Sequence, residues 1–129
     1  MKNTSERIRI INIFRKYSRL GLASGRLDPI DAYERIRGCC RCREEALELL
    51  AVYDTIRLLA ACGKKDCLDA LVKIYFPLSQ RSISKREISE RVIRYAYDNH
   101  CDERTVYRRL SYAVGVYRML KEDRSFRIR

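Results

Sequence analysis

The sequence predicts an all-α fold of about six helices in one domain, with a helix-turn-helix near the C-terminal end. Three observations carry this. Only two prolines and five glycines interrupt 129 residues. Apolar side chains recur at helical rather than alternating spacing, and no strand-like alternation of useful length occurs. Capping residues and breakers fall between those apolar stripes, where helix ends should lie.

A first helix is expected from about Ser5 to Leu20, with Ile10, Ile13, Phe14, Tyr17 and Leu20 on one stripe. Arg9, Asn12, Lys16 and Arg19 share its other side, and Gly21 and Gly25 end it. Asp28-Pro29 opens a short second helix through about Arg37, with Asp28 as N-cap and Pro29 in the first turn. A third helix, from about Arg43 to Cys62, is apolar nearly all round (Ala46, Leu47, Leu49, Leu50, Val52, Tyr53, Ile56, Leu58, Leu59). It should be the most buried, and Gly63 should terminate it. A fourth helix, about Lys65 to Phe76, should pack through Leu68, Leu71, Val72 and Tyr75, with Pro77 as its stop.

A polar connection, 78–83, leads to Ser84 and Glu87, which have the spacing of a capping box. The fifth helix buries Ile88, Val92, Tyr95 and Ala96, and Asn99, His100 and Cys101 make a turn without glycine. Asp102 then caps a sixth helix whose core side is Val106, Leu110, Ala113 and Tyr117. That helix should end near Glu122, leaving 123–129 as a frayed basic tail. The division is thus an N-terminal helical core over 1–80, a helix-turn-helix segment over 81–122 and the tail. No internal repeat marks a second domain.

Lys and Arg number 28 against 17 Asp and Glu, a net charge of +11 that favours polyanions. The excess is uneven. Residues 81–129 hold 13 basic and 7 acidic side chains, a net of +6 in 49 residues against +5 in the preceding 80. No run of about 18 apolar residues could span a bilayer. Arg7, Arg9, Arg15 and Lys16 break the apolar N-terminal stretch, so no signal peptide and a cytoplasmic location with reduced thiols are expected.

The sixth helix carries the sharpest functional pattern. Arg104, Tyr107, Arg108, Ser111 and Tyr112 point away from its core side as long donors and planar rings. A recognition helix that enters the major groove by its N-terminal end has this layout, and an arginine fork suits guanine O6 and N7 or a phosphate. A helical hairpin with a merely solvated arginine face gives the same pattern.

The run Asp102-Glu103-Arg104-Thr105-Val106-Tyr107-Arg108-Arg109-Leu110, followed by Ala113, resembles the recognition helix of the fourth region of sigma-70-like factors. It is closer to phage-encoded transcriptional regulators of the ArpU/RinA type. The resemblance covers roughly the last 40 residues and departs from the motif in its long fifth helix and glycine-free turn. It implies that Glu103, Arg104, Tyr107 and Arg108 reach base edges, with Thr105 and Arg109 near phosphate. Ser111 and Tyr112 extend the base-reading face, and Lys85, Arg86 and Arg118 are further phosphate contacts. The expected partner is double-stranded DNA, with RNA polymerase and a second protomer as protein partners and no membrane.

No paired carboxylates, phosphate-cradling loop or nucleophile constellation is legible, so no catalytic residue and no cofactor are expected. His100 beside Cys101 is a neighbour in sequence only. Cys39 and Cys42 have Cys-x-x-Cys spacing and Cys62 and Cys67 follow, but a straight helix over 43–62 would hold the pairs about 28 Å apart. Zinc ligands must converge within about 2.3 Å of one ion, so no metal is expected and the cysteines read as buried small hydrophobes or incidental thiols. The basic side of the first helix fits a solvated face, phosphate tracking, a membrane surface or a partner. The alternative to a DNA-binding regulator is a non-catalytic protein-binding module, an inhibitor or adaptor that uses the helical hairpin as scaffold.

Overall fold

The computed structural model describes residues 4–20, 28–77 and 85–128. Among them six helices and no strands occur: α1 (Thr4–Arg19), α2 (Pro29–Cys39), α3 (Arg43–Ala61), α4 (Lys65–Ile74), α5 (Lys85–Asp98) and α6 (Glu103–Ile128). The expected ends at Gly21 and Gly25, the connection 78–83 and the Ser84 half of the capping box lie outside the described residues.

Local chemistry explains most of the boundaries. The Asp28 carboxylate accepts the Ile30 N–H at 2.9 Å, and Pro29 takes the first helical position of α2. At the end of α3 the chain turns through Gly63 at φ 76, and the Lys64 N–H returns to the Leu59 carbonyl at 2.9 Å. Only glycine adopts that backbone without a β-carbon penalty. α4 stops at Ile74, after which Tyr75 and Phe76 both donate to the Leu71 carbonyl.

α3 is the centre. Seven of the eight side chains from Leu49 to Ile56 are buried, Asp54 being the exception, as is Leu59. α1, α2, α4 and α6 all lie against this helix. The buried residues of all six helices form one continuous cluster. At its middle, Phe14 stacks on Tyr75 at 5.9 Å between centroids and meets Tyr117 and Phe76 edge-on at 5.3 and 6.0 Å. One α1 side chain therefore joins the end of α4 to α6. Ion pairs fix the outside of the same joint: Arg9 to Glu48 at 2.8 Å, Lys16 to Glu45, and Lys121 to Glu48 at 3.5 Å.

The structure corrects two expectations, about α6 and α4, and places the cysteines and Arg15. α6 does not end near Glu122 but continues to Ile128, so 123–128 is helix rather than frayed tail. No breaker stands in that stretch, and Arg124 Nε donates to Asp54 Oδ2 of α3 at 2.5 Å, pinning the added turns. Val72 is exposed, because the inward stripe of α4 is Cys67, Ala70, Leu71 and Ile74. Cys39, Cys42 and Cys62 are exposed, as incidental thiols would be, while Cys67 is a buried small hydrophobe and Cys40 and Cys101 are half-buried. Arg15, which the apolar stripe of the first helix omits, is inside: its guanidinium bonds Asn12 at 3.2 Å, and Glu87 of α5 favours its charge. Burial, with Arg19 and Arg91 nearby, still holds it below the ordinary arginine range. Glu87 meanwhile binds Arg91 at 3.0 Å, and Arg91 donates to the Ile74 carbonyl at 2.8 Å, closing the end of α4.

The buried tyrosines make stability fall in alkali. Burial, then the hydrogen bond that the Tyr95 hydroxyl donates to Asp69 at 2.7 Å, pushes the Tyr95 phenol up to about 12. Burial also raises Tyr17, Tyr75 and Tyr117. An unfolded tyrosine ionises near 10, so above that pH the folded state holds more protons than the unfolded one. The stabilisation is complete below about pH 10 and is lost as pH rises toward 12. Urea midpoints measured from pH 9 to 12 should fall monotonically above roughly pH 10, and less steeply in Tyr95→Phe.

Candidate nucleic-acid interface

The turn between α5 and α6 sets the direction of α6. The Cys101 N–H returns to the Ala96 carbonyl at 3.0 Å and the His100 N–H to Tyr97 at 3.3 Å, with His100 at φ 55. This is the hydrogen-bond pattern of a helix stop that usually carries glycine at the left-handed position. A histidine there costs about 1–2 kcal/mol of backbone strain. The Asn99 side chain adds a bond to the Tyr95 carbonyl at 2.8 Å. Asp102 then stands before the first residue of α6, and its carbonyl accepts the Val106 N–H at 3.2 Å.

α6 buries Val106, Leu110, Ala113, Val114 and Tyr117. Those positions leave Glu103, Arg104, Tyr107, Arg108, Ser111 and Tyr112 exposed, so all six predicted base-reading side chains lie on the open side of one helix. Among the described residues neither Arg104 nor Arg108 makes an ion pair. Gly115, next along the stripe, is exposed with open space beside it.

Two cations from the N-terminal half edge this stripe. Arg7 of α1 donates through Nη2 to the Ser111 hydroxyl at 3.5 Å and lies beside the Tyr75 phenol. On the other edge, Lys64 Nζ sits over the Tyr112 ring, 5.1 Å from its centroid, in the range of a cation–π contact. Neither residue was legible as a site residue from sequence. Lys64 lies just beyond the Gly63 stop and Arg7 on a different helix, so only packing brings them to α6.

The predicted phosphate contacts separate into two kinds. Lys85 and Arg86 are exposed at the start of α5, and Arg86 holds only a loose surface pair with Glu90 at 3.5 Å. Arg109 and Arg118 are half-buried and already engaged. Arg109 faces Asp66 of α4 at 3.5 Å, and Arg118 bonds Glu6 of α1 at 3.0 Å. Each reaches a phosphate only by leaving a carboxylate that ties α6 to a neighbour. Thr105 is half-buried, one turn before Arg109.

Elsewhere, α3 separates Cys39 and Cys42 from Cys62 and Cys67 along its 19 residues. Among the described residues, no group of three or more His, Cys, Asp and Glu side chains is placed to hold a metal ion. Among those residues, too, no helix is long and apolar enough to cross a membrane. No family model matches this sequence, and no curated protein or solved structure matches it significantly.

Proposed function

We propose that this chain is a sequence-specific double-stranded DNA-binding transcriptional regulator of the phage type that its last helices resemble, acting by binding rather than catalysis. The observation that carries the reading is the α6 stripe. Arg104 and Arg108 stand exposed and without an ion-pair partner among the described residues, between Arg7 and Lys64. Free guanidinium groups near a helix N-terminus suit base edges in a major groove. The flanking cations and Lys85 suit the phosphates on either side, which position a protein without reading sequence. In this reading Arg109 and Arg118 hold α6 in place through Asp66 and Glu6, and their part at phosphate is secondary.

Salt dependence tests the polyanion half of the proposal. With about six phosphates neutralised, log affinity for duplex DNA should fall against log salt with a slope of about −5. A flat response between low and physiological salt contradicts it. Tight binding to a protein with no affinity for duplex would favour the protein-binding module instead.

A further inference from the structure

A hollow in the surface lies well away from the basic stripe. α2 and the C-terminal part of α6 both rest on α3, and between them they leave an open groove of about 1100 Å³. Its floor is apolar: Ala46, Leu47 and Leu50 of α3, with Leu120 of α6 along one wall. Leu47, Leu50 and Asp54 fall on successive turns and form a stripe along the groove, with Leu50 buried at its bottom and Leu47 and Asp54 half-buried. From Arg43 to Asp54 this stripe is about 16 Å long, three helical turns. Leu120 lies about 24 Å along the α6 axis from Arg104, which separates the two surfaces.

We propose that this groove receives an amphipathic helix of a partner protein, with acidic residues bordering its apolar stripe. The shape argues for a helix. Two helices lying on a third leave a slot between them, and helices pack at about 8–10 Å between axes. Its charged side chains are spread over α2, the connection 40–42, α3 and α6 rather than gathered on one element. That arrangement suits the apolar face of a rod better than a small molecule. The charge argues for acid. Arg37, Arg41, Arg43 and Arg124 line the groove against two carboxylates, Asp54 and Asp123. The facing Asp54 is already taken by Arg124. Arg37 and Arg41 are exposed; Arg37 lies over the Tyr33 ring at 5.4 Å, and no ion pair engages either among the described residues. A carboxylate-bordered helix would meet these two arginines while its apolar side covers Leu47.

Selection of random peptides of roughly 16 residues on the full chain tests this. Enriched peptides should carry apolar residues at helical spacing flanked by Asp and Glu. Their affinity should drop about tenfold or more in Arg37→Glu and in Arg41→Glu. Both positions are exposed, so the far-ultraviolet circular dichroism of these variants should match the parent. Lack of enrichment, enrichment of basic or uncharged peptides, or indifference to both charge reversals would overturn the proposal. So would sedimentation showing a dimer that either reversal dissociates, because the groove would then hold a second copy of this chain.

Discussion

Phe14→Ala should destabilise the protein by about 3–5 kcal/mol, the largest loss expected from any single truncation. Phe14 is fully buried, and its ring touches those of Tyr75, Phe76 and Tyr117. Truncation leaves a cavity where α1, the end of α4 and α6 meet, and these three elements cannot close around it together. Aromatic pairs add about 0.5–1.5 kcal/mol each beyond burial, so losing three contacts places the cost toward the upper end. Domains are stable by about 5–15 kcal/mol, and the variant would sit close to its unfolding threshold. Ile30→Ala on α2 is the control: that side chain is 68% exposed and should shift stability by no more than about 0.5 kcal/mol. Urea unfolding gives both numbers. A Phe14→Ala midpoint equal to the parent's would mean that α1 is not docked as described.

The second large effect belongs to α6. Arg104→Ala and Arg108→Ala should each weaken binding to the preferred duplex by about 1–3 kcal/mol and relax discrimination at one base pair. Folding should change by less than about 0.5 kcal/mol, since both side chains are exposed and neither holds an ion pair among the described residues. Lys85→Ala should instead weaken all duplexes alike and reduce the salt slope by about one. Val106→Ala, between the two arginines in sequence but on the buried side, should act oppositely, lowering stability by opening the core. Competition binding against single-base variants of the site separates these patterns. Stable Arg104 and Arg108 variants with full affinity and unchanged preference would remove α6 as the reader.

The helix boundaries were legible where the signal was local. Asp28-Pro29, Gly63 and the Asp102 start each act within one turn, and the corresponding helices begin or end within a residue or two of the expected place. The buried side of α5 and the two sides of α6 were legible too, because a 3.6-residue period fixes which positions share a face. Tertiary partners were not. The extra turns of α6 depend on Asp54, 70 residues away. Buried Arg15 has Glu87 and Arg91 of α5 in its surroundings, and the engagement of Arg109 and Arg118 depends on Asp66 and Glu6. Val72 was misplaced because α4 has only 10 residues, too few turns for neighbouring stripes to be told apart. The same limit hid Arg7 and Lys64. A basic residue on a remote helix looks like any other solvated charge until the fold sets it beside Ser111 or Tyr112.

Enrichment of random duplexes on the purified chain at near-physiological salt puts sequence-specific recognition by α6 to the most direct test. The expected result is a short enriched motif, bound about 10³-fold or more above bulk duplex, with the preference degraded in Arg104→Ala and Arg108→Ala. An unenriched pool, or a motif read equally well by both variants, would contradict it.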